Sequence, residues 1–345
     1  MRKRIVSLAM ATAMVAVSVT GCSGNLNGDE IVAEFGDTQI HAGVAEFFAR
    51  YQQAQYETYY MSYYGEDMWS LSMDGESTYE DNVKSGILNT LETMYVLENH
   101  MDEYGVEFTA EDEKAVKEAA QAFIEANDAA VLEDIFGTEE NIAELLKLYT
   151  IQQRMYTAMI ADADTEVSDE EAAQKSMDYV FFSFTVTEGE EERDLTDDEK
   201  AALKETAEAM KLAVANGEKT FAEAAEEAGV NATTMSFDSE SVAPNSDLVA
   251  EADTLEEGQV TSIIETDEGY YVGQVTSLFD REATDKEKES IIAERQQTLF
   301  NDLCEQWREE ADIKEYDKVW EKVDFEKKGV TIKSTEESTE NEAEE

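Results

Sequence analysis

The chain contains a single proline, Pro244, and only 17 glycines among its 345 residues. Folds built mainly from β-sheet need many tight turns, and tight turns depend on these two residue types. Most apolar positions also recur every three or four residues, which is the spacing of an amphipathic helix. We therefore predict a mainly α fold with a small α+β insert.

Acidic residues dominate the charge, since 81 Asp and Glu stand against 26 Lys and Arg and give a formal net charge of -55. Such a surface repels phosphate backbones, so nucleic-acid binding is excluded. Hydrophobic residues still make up 42% of the chain, which is enough to build cores. With two histidines and no acidic run of EF-hand spacing, the sequence predicts neither a metal site nor a cofactor.

The first 21 residues have the pattern of a secretory signal peptide. Three basic residues at positions 2–4 precede an uncharged run, Ile5 to Val19, that is shorter than the roughly 20 apolar residues of a membrane-spanning helix. Small residues then lead directly to Cys22. This arrangement resembles the lipobox of bacterial lipoproteins, which implies that Cys22 is lipid-modified and becomes the mature N-terminus. A plain secretory signal is the alternative.

The pattern of apolar and polar residues divides the remaining chain into segments. Phe300 and Trp307 belong to an apolar stripe without a partner in the α+β segment, so we expect the C-terminal helices to pack on the N-terminal ones. Ser168 is expected to cap one more short helix, and residues 188–198 to form an acidic linker. The predicted segments are a tether at 22–30, a helical domain at 31–175, an α+β domain at 176–282, C-terminal helices at 283–328 and a disordered acidic tail at 329–345.

Three stretches resemble the PrsA-type foldase lipoproteins and the related SurA-type chaperones. Residues 31–48 look like the β-hairpin and helix that open the mature family sequence, and residues 165–175 look like the entry to its isomerase domain. Residues 254–275 resemble the end of a parvulin-type peptidyl-prolyl isomerase domain, where a Leu-x-x-Gly segment leads to a final strand beginning Gly-Tyr/Phe-His. The resemblance implies a helical chaperone domain, made of N- and C-terminal parts, plus a parvulin-like domain.

Two features depart from the parvulin pattern. The family carries a His on its first strand and another on its last strand, and the matching positions here are Tyr179 and Tyr271. The glycine-rich loop of active parvulins would fall within residues 238–247, which contain no glycine. Because rotation about an X–Pro bond needs only stabilisation of a twisted amide, Tyr hydroxyls could supply part of it. The resemblance therefore implies a degenerate domain with no intact catalytic pair and weak or absent isomerase activity.

Tyrosines crowd the first long helix. We assign Phe47, Phe48 and Tyr51 to the core. The remaining tyrosines either line the core edge or form a client-binding surface, because Tyr offers a large apolar contact area with a hydroxyl at low entropic cost. The candidates for such a surface are Tyr56, Tyr59, Tyr60 and Tyr63.

Together these features predict a folding factor, a chaperone or foldase, lipid-anchored at the extracytoplasmic face of a bacterial cell membrane. Its partners would be unfolded secreted polypeptides and, through the lipid, the membrane; the sequence leaves open whether it is a homodimer. The alternative is a solute-binding lipoprotein of a transporter. That class needs alternating strands and helices in two lobes, whereas strand patterns here occupy only short regions.

Overall fold

The structure, a computed structural model, describes residues 14–18, 26–65, 67–72, 75–188 and 191–332. The chain divides into two compact units: unit 1 comprises residues 1–163 and 296–345, and unit 2 comprises residues 164–295. Cys22 and residues 333–345 of the predicted tail lie outside the described residues. Within those ranges, no helix is both long and apolar enough to cross a membrane.

Unit 1 begins with three short strands and five helices. These are β1 (Met14–Ser18), β2 (Ile31–Phe35), β3 (Thr38–His41), α1 (Ala42–Tyr64), α2 (Tyr79–Asn99), α3 (Ala110–Glu125), α4 (Ala129–Asp134) and α5 (Glu139–Met159), with 3-10 turns at Met68–Ser70, Met101–Tyr104 and Ile160–Asp162. Helix α3 begins with a capping box, in which Thr109 accepts a hydrogen bond from the backbone of Asp112 while the Asp112 carboxylate accepts one from the backbone of Thr109.

Unit 2 is built around a four-stranded antiparallel sheet. Its elements are β4 (Lys175–Ser183), β5 (Thr185–Glu188), β6 (Glu191–Asp194), α6 (Asp197–Ala215), α7 (Phe221–Glu227), β7 (Thr233–Phe237), α8 (Ser246–Asp253), β8 (Ile264–Glu265) and β9 (Gly269–Ser277). The four strands of the sheet lie in the order β7-β4-β9-β8. Side chains of β4 alternate between its two faces, so that Val180 and Phe182 contact α6 and α7 while Met177 packs with residues of α8.

The chain then returns to unit 1 through a long helix. Helix α9 (Arg281–Ala311) is followed by β10 (Lys314–Glu315), α10 (Asp317–Trp320) and β11 (Lys328–Ile332). Phe300, Cys304 and Trp307 of α9 lie in the same core as the residues of α1, α2 and α5. The Trp307 ring stacks on His100 at the end of α2, with the ring centroids 4.1 Å apart. The C-terminal part of α9 therefore completes the helical core of unit 1.

These elements confirm the predicted fold class, a mainly α protein with an α+β insert. Three local predictions are wrong. The acidic linker at 188–198 contains β6, which pairs with β5 as a separate hairpin and is followed at Asp197 by α6. Ser168 caps only a turn, in which its hydroxyl accepts a hydrogen bond from the backbone of Glu171. No helix follows, because strand β4 begins at Lys175. Residues 329–332 of the predicted tail belong to β11.

Candidate functional site

Two aromatic regions are candidates for function, and the first lies on the sheet of unit 2. β4 and β9 are antiparallel neighbours, and their register pairs Phe181 with Tyr271 and Tyr179 with Gly273. Because alternate residues of a strand share a face, Tyr179, Phe181 and Tyr271 all lie on the α8 side of the sheet. We call this region the tyrosine face; its members are Tyr179, Phe181, Met235, Leu255, Ile264 and Tyr271, all partly buried.

The two tyrosines that replace the histidines of the parvulin pattern are close neighbours. Their ring centroids are 6.2 Å apart, and the Tyr271 ring lies 4.5 Å from that of Phe181. Burial, Tyr179 and Glu268 raise the pKa of Tyr271 above its ordinary value, so its hydroxyl stays protonated at neutral pH. Among the described residues, neither hydroxyl has a hydrogen-bond partner. Both hydroxyls are therefore available to a bound peptide as hydrogen-bond donors or acceptors.

The loop between β7 and α8 is fixed by polar side chains instead of glycines. Asp238 accepts hydrogen bonds from the Gln174 side chain at 2.9 Å and from the backbone of Glu240 at 3.0 Å. Asn245 caps α8, because its side-chain oxygen accepts from the backbone N–H groups of Asp247 and Leu248, both at 3.0 Å. A loop held in this way does not offer the close, side-chain-free backbone that a glycine-rich loop presents to a ligand.

The second aromatic region covers the C-terminal half of α1 in unit 1. Tyr56, Tyr60 and Tyr64 are four residues apart, and Tyr59 and Tyr63 form the adjacent row, so all five rings share one side of the helix. Tyr59 is 63% exposed and Tyr63 is 83% exposed. We call this region the aromatic surface; its members are Tyr56, Tyr59, Tyr60, Tyr63 and Tyr64.

Two aromatic residues that the sequence analysis missed support this surface. Trp69 stacks on Tyr79 with ring centroids 5.5 Å apart, and both rings lie 6.0 Å from that of Tyr56. The half-buried Tyr56 therefore belongs to the core edge, whereas Tyr59, Tyr60 and Tyr63 are exposed. A tryptophan in the polar stretch after α1 was the signal that could have identified this support.

Buried polar side chains fix α1 below the aromatic surface. Glu57 is 4% exposed, and its carboxylate accepts hydrogen bonds from Trp69 Nε1 at 3.0 Å, from Gln53 Nε2 at 2.6 Å and from the backbone of Val330 at 2.9 Å. Burial raises the pKa of Glu57, and these donors partly offset the rise. One carboxylate thus ties α1 to the turn that carries Trp69 and to strand β11.

The sequence of unit 2 matches a known domain family. Residues 179–289 match the family model described as a PPIC-type PPIASE domain, so this part of the chain is similar to the domains of that family. The match confirms the resemblance that the sequence analysis based on residues 254–275. It also begins at Tyr179, the first of the two positions where this chain has Tyr and the family pattern has His.

Several solved structures are similar to a large part of the chain. The foldase protein PrsA of Streptococcus pneumoniae is 18% identical, with 74% of this chain and 98% of that chain covered and a TM-score of 0.35. PrsA of Lactococcus lactis is 12% identical, with 85% and 97% covered and a TM-score of 0.35. A SurA-like chaperone of Campylobacter jejuni is 13% identical, with 83% and 98% covered and a TM-score of 0.29. No curated protein sequence matches the chain.

Proposed function

We propose that the chain is a membrane-anchored extracytoplasmic folding factor that binds unfolded secreted polypeptides and has weak or no isomerase activity. The observation that carries the proposal is the PPIC-type domain of unit 2, in which both histidine positions of the family pattern are tyrosines. The aromatic surface of unit 1 supports it, because exposed, contiguous aromatic side chains are typical of surfaces that bind other polypeptides.

The alternative of a solute-binding lipoprotein receives no support from the fold. Such proteins build two lobes from alternating strands and helices, which give parallel sheets. In the described parts of this chain every strand pair is antiparallel. A folding factor therefore accounts for the domain match and for the strand pairing.

The first test concerns client binding. We expect the mature chain to suppress aggregation of a chemically denatured client, and the variant Tyr59→Ser/Tyr63→Ser to bind that client about tenfold more weakly, because two exposed aromatic contacts are lost. Ser and Tyr have similar helix propensities, and neither ring packs against another aromatic ring in the described residues, so the fold should be unchanged. Light scattering and fluorescence anisotropy with the labelled client would measure both effects.

A matched control removes exposed apolar side chains elsewhere. Leu212 and Val242 of unit 2 are 58% and 72% exposed, so Leu212→Ser/Val242→Ser also removes two exposed apolar side chains. We expect this variant to bind the client as the unchanged chain does. Equal weakening in both variants would assign client binding to general surface hydrophobicity instead of the aromatic surface.

The second test concerns isomerase activity. We expect the cis-to-trans rate of a prolyl tetrapeptide to be about ten- to a hundredfold below that of a parvulin with both histidines, because two positioned groups are replaced. The rate should not change between pH 5 and pH 8, since unperturbed Tyr titrates near pH 10 and the pKa of Tyr271 is raised further. In Tyr179→His/Tyr271→His a pH dependence near 6.5 should appear. Wild-type activity equal to that of an intact parvulin would contradict a degenerate domain.

The third test concerns the anchor. If Cys22 carries the lipid, Cys22→Ser should leave an uncleaved precursor or release the cleaved protein into the medium, because no other membrane attachment is proposed. Cell fractionation with immunodetection distinguishes these products from the anchored form. A Cys22→Ser protein that is cleaved and still sediments with membranes would show that lipidation of Cys22 is not the anchor.

A further inference from the structure

Side chains of α1 hold one edge of strand β11. Val330 is 1% exposed, and its backbone N–H donates to Glu57 Oε2 at 2.9 Å. The backbone N–H of Ile332 donates to Thr58 Oγ1 at 3.0 Å. Side chains of α1 therefore take the place of a neighbouring strand on this edge, and they fix which way the strand faces.

The opposite edge of β11 is covered by the uncharged segment Met14–Ser18. Successive N–H groups of a strand point to opposite edges, so the N–H groups of Gly329 and Thr331 point away from α1. The antiparallel register pairs Thr331 with Val15 and Gly329 with Val17. β1 thus satisfies the backbone groups of β11 that α1 leaves unpaired.

Residues 14–18 belong to the predicted signal peptide, so the mature chain would lack β1. Removal of residues 1–21 leaves the N–H and C=O groups of Gly329 and Thr331 without their partner strand. An open strand edge is a template for pairing with another extended chain. The site that β1 occupies in the precursor thereby becomes free in the mature protein.

We propose that the free edge of β11 binds an uncharged, extended segment of an unfolded secreted polypeptide as an added antiparallel strand. This inference rests on the proposed function, because that function includes the removal of residues 1–21. Backbone hydrogen bonds would supply the affinity, which makes recognition tolerant of sequence. Segment 14–18, Met-Val-Ala-Val-Ser, shows the chemistry that fits: an uncharged run in which every residue after Met14 is small or β-branched. The net charge of -55 disfavours acidic segments.

The position of β11 fits a role in client binding. Glu57 and Thr58, whose side chains hold the strand, lie in α1 between Tyr56 and Tyr59 of the aromatic surface. A client segment on β11 and apolar side chains on the aromatic surface would thus be held by the same helix of unit 1. Linking two weak contacts in one chain raises the overall affinity without any new contact.

The test uses the mature chain with Cys22→Ser and a fluorescein-labelled peptide with the sequence of residues 12–20. N-methylation at Val15 and Val17 removes the N–H groups that face β11, whereas N-methylation at Ala16 and Ser18 alters only groups that face away. We expect the first pattern to weaken binding about tenfold or more and the second to change it less than about threefold, because two backbone hydrogen bonds are at stake.

Two variants of β11 test the same backbone hydrogen bonds in the protein instead of in the peptide. Thr331→Pro removes a donor from the free edge and leaves the bonds of Val330 and Ile332 to α1 intact, whereas Thr331→Val preserves the backbone. We expect about tenfold weaker peptide binding for the first variant and no change for the second. If Thr331→Pro perturbs the fold, the two methylated peptides on the unchanged strand decide the question.

The outcomes separate this inference from the proposed function. Absence of peptide binding, equal binding of both methylated peptides, or a mature dimer that Thr331→Pro dissociates would overturn it; the last result would assign the edge to a second copy of the chain. If the methylation pattern holds but the mature chain does not suppress client aggregation, the proposed function fails while the strand site stands. If the mature chain suppresses client aggregation but the methylation pattern does not hold, only the strand site is overturned.

Discussion

Replacing Arg308 with Met is expected to lower the free energy of unfolding of unit 1 by about 3 kcal/mol at pH 7.5. Arg308 of α9 donates from Nη2 to Glu92 Oε2 at 2.7 Å and to Asn89 Oδ1 at 2.7 Å, and the Glu92 side chain is 0% exposed. The variant leaves a buried carboxylate without its cation, and such a loss costs more than the intact pair contributes. Urea unfolding followed by circular dichroism would measure the change.

The effect should depend on pH in a defined direction. Burial raises the pKa of Glu92 above its ordinary value, and Arg308 opposes that rise. Without Arg308 the pKa in the folded state rises further, so the folded state takes up a proton more readily than the unfolded state does. The stability deficit should therefore shrink as the pH falls from 7.5 towards 5.5. A deficit of the same size at both pH values would contradict this assignment.

Two further variants serve as controls. Glu92 Oε1 and Arg308 Nε have no hydrogen-bond partner among the described residues, so the pair is incompletely satisfied. Glu92→Leu/Arg308→Met should therefore recover most of the lost stability. Lys117→Met breaks an exposed pair with Glu113 in the same unit and should cost less than about 1 kcal/mol. If Lys117→Met costs as much as Arg308→Met, burial of Glu92 is not the cause.

The parts of the fold that the sequence could predict are those with a local signal. Apolar residues spaced three or four apart are a property of adjacent turns, and the buried faces of α2 and α5 have this spacing. The resemblance to the parvulin pattern located Tyr179 on the first strand and Tyr271 on the last, and the two rings lie on neighbouring strands. Residues of both the tyrosine face and the aromatic surface could therefore be identified from the sequence.

The parts that the sequence could not predict depend on distant or weakly patterned contacts. β5 and β6 pair only with each other, and their polar sequences lack the alternation that marks a half-buried strand. β11 follows an acidic stretch and is held by Glu57, which lies 273 residues earlier in the chain. Trp69 meets Phe325 with ring centroids 4.8 Å apart, across a similar separation. No local pattern encodes such pairings.

Gly269→Ala is the second variant for which we expect a large effect, a loss of about 3 kcal/mol of stability in unit 2. A Cβ atom at this position would lie 2.2 Å from the backbone oxygen of Phe182 and 2.6 Å from Cε2 of Phe181. The Phe182 backbone is paired with Tyr270 near the end of the β4–β9 ladder, so a shift away from the added Cβ would disrupt that end of the ladder. Glycine at the start of β9 is thus a requirement of close strand packing.

The same clash should disturb the tyrosine face. The Phe181 ring occupies the space over Gly269 and lies 4.5 Å from the Tyr271 ring, so a methyl group there displaces the ring that supports Tyr271. Gly273→Ala on the same strand is the matched control, because its Cβ would lie 3.2 Å from a side-chain end of Leu248, 3.4 Å from that of Met177 and 3.6 Å from the backbone oxygen of Asp178, with no contact as short as those at Gly269. We expect that variant to cost about 1 kcal/mol. Amide hydrogen exchange should be faster in unit 2 of Gly269→Ala and unchanged in unit 1. If the amides of unit 2 are equally protected in Gly269→Ala and Gly273→Ala, close strand packing at Gly269 is not the cause.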